Sequence, residues 1–178
     1  MGRGATLVVL LAIVLIFLSA PFFLRSAFPL NHRELIFATA EQYGLDPFLL
    51  AAMIHVESGF RPEAVSPKGA LGLMQIMPET AIWLGKQNSQ PILVDDLFDP
   101  KTNIGLGAYY LNYLRDRFPT PYAVLAAYNA GPTNARRWLD EHIWDGSYER
   151  TGQIPFGETR SYVRKVIMMQ NLYRLLYD

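Results

Sequence analysis

Two copies of one helix-start signal restrict the fold of this chain more than any other sequence feature. Asp46-Pro47 and Asp99-Pro100 each place an N-capping side chain before a proline, a combination suited to the first turn of an α-helix. After Phe28, Gly, Pro and Asx residues separate stretches with helical apolar spacing, and the period-two alternation of strands is not visible. An all-α fold is therefore predicted.

The same punctuation gives approximate helix bounds. Asn31 and Glu34 resemble a capping box that opens a first helix, which is expected to end near Gly44. Gly131-Pro132 is expected to stop a later helix. The other predicted helices cover approximately residues 46–57, 99–118, 122–129, 133–141 and 159–177.

An uncharged apolar run extends from Ala5 to Leu24 near the N-terminus. A helix of this length can cross the hydrocarbon layer of a membrane, which is about 30 Å thick. Arg3 and the α-amino group before the run favour a cytoplasmic N-terminus, although Arg25 directly after it reduces the charge asymmetry. The run is therefore predicted to form one N-terminal transmembrane helix.

This interpretation divides the chain into a short cytoplasmic N-terminus (1–4), a transmembrane signal-anchor (5–24), a linker (25–30) and a domain outside the cytoplasm (31–178). A cleavable signal peptide is the alternative, because Leu18-Ser19-Ala20 supplies small residues at a suitable position. Pro21 and the length of the apolar run favour an uncleaved anchor.

Composition excludes several classes of function. Lys plus Arg and Asp plus Glu both number 16, so there is no surplus positive charge for a nucleic-acid partner. The absence of cysteine excludes disulfides, thiolate metal sites and a cysteine nucleophile. His32, His55 and His142 lack the spacing of a metal motif. The sequence predicts no nucleic-acid partner, no metal and no cofactor.

Glu57 is the acidic residue with the most informative setting, because it falls in the predicted last turn of an apolar helix. The negative end of the helix dipole and the loss of water both favour the neutral acid, so they raise the pKa of this carboxyl. A general acid that works near neutral pH needs this property. On its position alone, an exposed glutamate at a helix end would be the preferred interpretation.

Four motifs in a fixed order carry a family resemblance. They are Glu57-Ser58, Gly72-Leu73-Met74-Gln75, Ala127-Tyr128-Asn129, and a C-terminal segment from Ile154 to Val163 that contains Glu158-Thr159-Arg160. From about Asn31 onward the chain resembles the soluble lytic transglycosylases, relatives of goose-type lysozyme. The resemblance implies a lysozyme-like helical domain with a substrate cleft, so residues 31–178 are expected to be the catalytic domain.

The resemblance also implies an activity. The family cleaves the peptidoglycan glycan strand between N-acetylmuramic acid and N-acetylglucosamine, outside the cytoplasmic membrane. Glu57 would protonate the glycosidic oxygen and then act as a base, while the acetamido group of the substrate assists departure. Closure of the C6 hydroxyl onto C1 would give a 1,6-anhydromuramic end without hydrolysis, unlike the usual glycosidase pair of carboxylates.

Six further residues are predicted to bind the substrate: Ser58, Met74, Gln75, Tyr128, Asn129 and Glu158. Each has a structural alternative, which for Tyr128 is a place in the core. Ser58 and Gln75 also suit capping or packing hydrogen bonds, and Met74 also suits the core. Asn129 also suits the turn before Gly131, and Glu158 also suits a salt bridge to Arg160 or another base.

Three other functions remain open from the sequence. A hydrolytic lysozyme would need a second carboxylate, for which the sequence offers Glu63, Asp95, Asp96 and Asp99. A catalytically silent glycan-binding or scaffold module would not need a buried acid. A membrane-tethered helical interaction domain would explain the apolar run but not the motifs.

Overall fold

The computed structural model describes residues 2, 8, 10, 11, 13, 15, 19 and 22–178. In this part of the chain, residues 22–27 are helical and seven longer helices follow. These are α1 (Arg33–Tyr43), α2 (Pro47–Ser58), α3 (Pro78–Gln87), α4 (Pro100–Arg115), α5 (Pro121–Ala130), α6 (Pro132–Asp140) and α7 (Gly157–Tyr177). Two short 3-10 helices cover Val94–Phe98 and Thr151–Gln153. The β structure of the described residues is limited to two isolated bridges, so the predicted all-α fold is confirmed.

Both Asp-Pro signals start helices as predicted. The Asp46 carboxylate accepts a hydrogen bond from the Phe48 backbone N–H, and Asp99 accepts one from the N–H of Thr102. Each bond satisfies a backbone donor that the first helical turn leaves without a partner. The proline after each aspartate occupies a position where no donor is needed.

Two predictions about helices were wrong. The capping box at Asn31 and Glu34 does not form, because α1 begins after His32, which has a left-handed φ of 57° and no capping side chain. Helix α3 was not predicted at all. Its ten residues start at Pro78 and bury only a narrow face, so its apolar pattern is short and weak.

Helix α2 forms the centre of the domain. Residues 50–54 are all buried, so the helix has no polar face along this stretch. A helix that is apolar all round must be surrounded by others, and α2 packs against α1 and most extensively against α7. The last turn of this central helix carries Glu57.

The predicted transmembrane helix from Ala5 to Leu24 lies largely outside the described residues. The described part of the chain holds no helix that is both long and apolar enough to span a membrane.

The segment expected to be a linker, residues 25–30, is packed against the end of α7. The Arg25 side chain donates a 2.7 Å hydrogen bond to the carbonyl of Leu176, and its guanidinium lies 5.4 Å from the centre of the Tyr177 ring. In turn, the Tyr177 hydroxyl donates to the Phe28 carbonyl at 2.9 Å. This segment is therefore part of the folded domain.

Candidate active site

A cleft of about 610 Å³ opens beside the last turn of α2. The segment 66–77 forms one side of it, and the end of α5 with the first residues of α6 and α7 forms another. Its acidic lining residues are Glu57 and Glu158, and its aromatic ones are Tyr110 and Tyr128. The sequence motifs, separated along the chain, thus meet at one cavity.

The Glu57 carboxyl has the chemistry expected of an acid that works near neutral pH. Burial raises its pKa to about 7, and the nearby charge of Glu158 acts in the same direction. A hydrogen-bonding interaction with the Tyr162 hydroxyl opposes this rise but is smaller than the effect of burial. At neutral pH the carboxyl is therefore populated in both its acidic and its basic form.

Two tyrosine hydroxyls lie beside this carboxyl. Burial, followed by the negative charge of Glu57, holds the pKa of both Tyr128 and Tyr162 far above the ordinary range, so both hydroxyls stay protonated. The Tyr128 hydroxyl donates to the carbonyl of Met74 at 2.9 Å. The Tyr162 hydroxyl is buried and has no partner of ordinary hydrogen-bond geometry among the described residues, which leaves Glu57 as the group it can serve.

The turn at Gly72–Gln75 is held against α4 by one buried side chain. Asn103 accepts from the Met74 N–H at 2.7 Å and donates to the carbonyls of Leu71 and Leu97 at 3.0 and 2.8 Å. Gly72 has a φ of 76°, and a Cβ there would overlap both Asn103 and the Leu97 carbonyl. Only glycine fits this close approach.

Ser58 and Met74, two of the predicted substrate contacts, are not among the residues that line the cleft. The Ser58 side chain is buried, and its hydroxyl bonds to the carbonyls of Ile54 and Leu73 at 3.0 and 2.8 Å. Met74 is fully buried against Gly107 on α4. Both side chains point into the domain interior, where they hold the turn in place, and neither lines the cleft.

Gln75 and Asn129 do line the cleft, but one end of each side chain is already engaged. The Gln75 amide donates to the carbonyls of Ala64 and Gly72 at 3.1 and 2.9 Å, and its backbone adopts a left-handed φ of 49°. The Asn129 side-chain oxygen accepts from Thr159 at 2.7 Å, which ties α5 to α7. Their opposite ends, the Gln75 oxygen and the Asn129 nitrogen, are the groups available to a ligand.

Glu158 stands at the rim of the cleft in an exposed salt bridge. Its partner is Lys68 at 2.9 Å, and both side chains are mostly solvent-accessible. The proposed partner Arg160 instead donates to the carbonyl of Ile154. The salt bridge considered as the alternative role of Glu158 is present, with a base of the facing segment, and a substrate contact of Glu158 stays a prediction.

The four rival carboxylates lie away from the cleft lining. Asp96 and Asp99 accept hydrogen bonds from the backbone N–H groups of Leu93 and Thr102, which fix the turns around the 3-10 helix. Glu63 and Asp95 are likewise not lining residues. In the described part of the chain no group of three His, Cys, Asp or Glu side chains is placed to hold a metal ion.

The sequence analysis missed two residues of the site, Tyr110 and Tyr162. Tyr110 lines the cleft, its ring centre lies 5.4 Å from that of Tyr128, and burial raises its pKa to about 12. Tyr162 lies in the C-terminal segment that carried the resemblance, but no role was assigned to it. The signal for Tyr162 was its position one helical turn after Glu158.

A site built on one half-buried glutamate in a helical domain agrees with comparison to known proteins. The model of the family described as Transglycosylase SLT domain matches residues 34–150. The chain belongs to this family, as the sequence motifs indicated.

Among individual proteins, the soluble lytic murein transglycosylase of Escherichia coli (strain K12) is 37% identical over 157 residues, which cover 85% of this chain and 24% of the relative. The membrane-bound lytic murein transglycosylase C of Actinobacillus pleuropneumoniae serotype 5b (strain L20) is 32% identical over 168 residues, covering 80% of this chain and 46% of the relative. The chain therefore spans about a quarter of the first relative and under half of the second.

The crystal structure of the 70 kDa soluble lytic transglycosylase from Escherichia coli superimposes with a TM-score of 0.78 at 36% identity. The match covers 85% of this chain and 25% of that one. The lysozyme-like helical fold implied by the resemblance is thereby confirmed.

Proposed function

We propose that this chain is a peptidoglycan lytic transglycosylase, an enzyme that cleaves the bond between N-acetylmuramic acid and N-acetylglucosamine without water. The membership of the family supports this proposal, as do the names of the two relatives, both lytic murein transglycosylases. The observation that carries the mechanism is the cleft carboxyl of Glu57, whose pKa burial raises to about 7.

In the proposed reaction, neutral Glu57 gives its proton to the glycosidic oxygen as the bond from C1 to that oxygen breaks. The substrate's own acetamido group stabilises the electron-poor C1. The Glu57 carboxylate then accepts the proton of the C6 hydroxyl, whose oxygen bonds to C1 and closes the 1,6-anhydro ring. The acid is regenerated without a second protein carboxylate, and a pKa near 7 makes both proton transfers accessible at neutral pH.

Hydrolysis is the alternative, and it would assign a role to Glu158. A second carboxylate must act as nucleophile or activate water in the usual glycosidase scheme. Glu158 is 68% exposed and paired with Lys68, so it is a solvated rim group. A catalytically silent binding module is disfavoured. Removing an ionised carboxylate from water costs free energy, and binding alone does not require such a group in the site.

Product analysis tests this function. Purified glycan strands are digested and the ends are measured by mass spectrometry, because an anhydro end is lighter than a reducing end by one water. Wild type and Glu158→Gln are expected to give anhydro ends, whereas Glu57→Gln is expected to lose a factor of roughly 10² to 10⁴ or more in rate. Reducing ends that depend on Glu158 would establish hydrolysis, and an active Glu57→Gln variant would exclude the assignment.

For location, we propose an uncleaved anchor at 5–24 that holds the domain on the periplasmic or wall side of the membrane. The uncharged apolar run supports it, and one relative is named a membrane-bound enzyme. N-terminal sequencing of the mature chain and extraction of membranes with salt and then detergent test it. A chain that begins after Ala20 and washes off with salt would be a secreted enzyme.

A further inference from the structure

The outer face of α7 turns away from the rest of the domain. Its exposed and half-buried positions recur at spacings of three and four residues, which places them on one side of the helix. They are Arg164, Lys165, Met168, Asn171, Leu172 and Leu175. Met168 is 60% exposed and Leu175 is 80% exposed, with Leu172 between them. Neighbouring apolar side chains that meet solvent beside polar ones mark an interaction surface.

The two charged side chains on this face are both positive. Arg164 and Lys165 are exposed and lie about one helical turn before Met168. Arg164 donates a 2.8 Å hydrogen bond to the Thr151 hydroxyl, which is neutral. Neither cation takes part in a salt bridge among the described residues. The face is therefore apolar and cationic, a combination that suits an anionic partner.

The last turn of α7 lies beside the end of the N-terminal apolar run. Residues 22–27 are helical, and the side chains of Phe22 and Phe23 are 73% and 66% exposed. The Arg25 side chain donates to the Leu176 carbonyl at 2.7 Å, which fixes this segment against α7. Exposed apolar side chains are therefore present both on the N-terminal segment and on the end of α7 that it contacts.

The apolar run at residues 5–24 indicates which partner covers this face. When the run is held in a bilayer, as proposed above, it ends at the headgroup layer, and the last turn of α7 lies beside that end. Apolar side chains bordered by Arg and Lys suit this layer, because the apolar groups enter the acyl chains while the cations stay among the phosphates. A second copy of the chain, packed through the same face, would bring like charges together.

We propose that the outer face of α7 is a membrane contact, which lies on the anionic surface of the bilayer that holds the anchor at residues 5–24. The three apolar side chains of the face enter the headgroup boundary, and Arg164 and Lys165 lie among the lipid phosphates. The contact rests on the proposed anchor. Its consequence is that α7 lies along the bilayer surface, so the membrane fixes the orientation of the domain as well as its distance.

The test uses full-length protein reconstituted in vesicles of phosphatidylethanolamine and phosphatidylglycerol. The chain has no cysteine, so one introduced cysteine can carry an environment-sensitive fluorophore at a chosen position. Met168→Cys and Leu175→Cys place the label on the face. Leu93→Cys is the matched control, because this apolar side chain is similarly exposed, at 71%, and directly precedes the 3-10 helix that packs on α3 and α4.

Both labels on the face should move to shorter emission wavelength in the vesicles, whereas the Leu93→Cys label should keep its aqueous emission. A nitroxide lipid labelled near its headgroup should quench the two face labels more than one labelled near the bilayer centre, because the apolar face of such a helix enters the boundary by about 5–10 Å.

The charge of the face is tested in the Met168→Cys background. Lys165→Glu should lower the ratio of quenched to unquenched label about fivefold for each unit of charge changed. Lys101→Glu makes the same change at an exposed position on α4 and should leave the ratio unchanged. Vesicles of phosphatidylcholine, which has no net charge, should lower the ratio in the same direction as Lys165→Glu.

Flotation of the vesicles after a high-salt wash separates this contact from the anchor. Protein that floats while both face labels stay aqueous would overturn the contact and leave the anchor standing, and so would quenching at Leu175→Cys alone. Protein that no longer floats would overturn both. Neither result bears on the proposed catalytic activity, which product analysis tests separately.

Two other outcomes would also overturn the contact. An equal emission shift at Leu93→Cys would show adsorption without a defined face. A shift that disappears when the protein is diluted with more lipid would identify a second copy of the chain as the partner. Melting temperatures show whether each variant is folded, and Asn171→Cys on the same face replaces Met168→Cys if that variant is not.

Discussion

Replacing Glu57 with glutamine should stabilise the protein at alkaline pH and leave its stability unchanged in acid. Burial raises the pKa of this carboxyl from an ordinary 4.5 to about 7 in the folded chain. A carboxyl with a raised folded-state pKa favours folding below its unfolded pKa, and this advantage is lost as pH rises through the folded pKa. At about 1.4 kcal/mol for each pH unit, this rise in pKa corresponds to roughly 3 kcal/mol of stability that the wild type loses between pH 4 and pH 8.

Glutamine has nearly the same shape and never ionises, so Glu57→Gln avoids this loss. At pH 4 the two proteins should unfold at the same denaturant concentration. At pH 8 the variant should be more stable by about 3 kcal/mol, equivalent to a melting temperature about 6–12 °C higher for a domain of this size. Urea titration and thermal melting across this pH range measure the difference.

Glu158→Gln is the control for this experiment, because its exposed side chain is already solvated. It should show only a small pH-dependent difference from the wild type. A stability difference for Glu57→Gln that is constant with pH would refute the assigned burial effect. So would a variant that is less stable than the wild type at pH 8.

Three further outcomes are expected. The activity of the wild type should fall as pH rises, with a midpoint near pH 7 where Glu57 ionises. Tyr162→Phe should move this midpoint to higher pH in a pH-rate profile, because the substitution removes a hydroxyl that stabilises the Glu57 carboxylate. Tyr128→Phe should lower both activity and unfolding free energy, the latter by about 1 kcal/mol, since it removes the bond to the Met74 carbonyl. Gly72→Ala should lower the melting temperature strongly, because the added Cβ would overlap Asn103 and the Leu97 carbonyl. Gly105→Ala on α4 is the control: its Cβ would have no neighbour within 4 Å, so the melting temperature should stay the same or rise slightly.

The helices were largely predictable because their start signals are local. An aspartate two or three residues from the N–H it caps defines a helix start within a few residues of sequence, as at Asp46 and Asp99. His32 gave no such signal, because its side chain makes no capping hydrogen bond and a left-handed φ of 57° is uncommon for a residue other than glycine. Helix α3 is short, and it packs against α4 and the 3-10 helix Val94–Phe98, which its own apolar pattern does not reveal.

The sequence predicted most residues that line the candidate site, but it did not predict what each side chain contacts. Glu57 could be identified because helix position and apolar neighbours are both readable in the sequence. The roles of Ser58 and Met74 could not, because their partners, the Leu73 carbonyl and Gly107, are decided by how α2 and α4 face the turn. The polar side chains Ser58 and Gln75 donate hydrogen bonds to backbone carbonyls in and beside that turn. The sequence does not show which carbonyls lack another partner, so these bonds could not be predicted.

The docking of residues 25–30 changes what the N-terminal segment can do. Tyr173 donates to the Pro29 carbonyl at 3.3 Å, and its hydroxyl lies 3.0 Å from the ring nitrogen of His55, two residues before Glu57. Contacts therefore run from the start of the domain through α7 to the catalytic helix. Along α7, the 15 residue steps from Tyr162 to Tyr177 span about 22 Å. If the preceding segment is held in a bilayer, as proposed, the packing of residues 25–30 on α7 keeps the domain beside the membrane, and the strands within reach are those close to it.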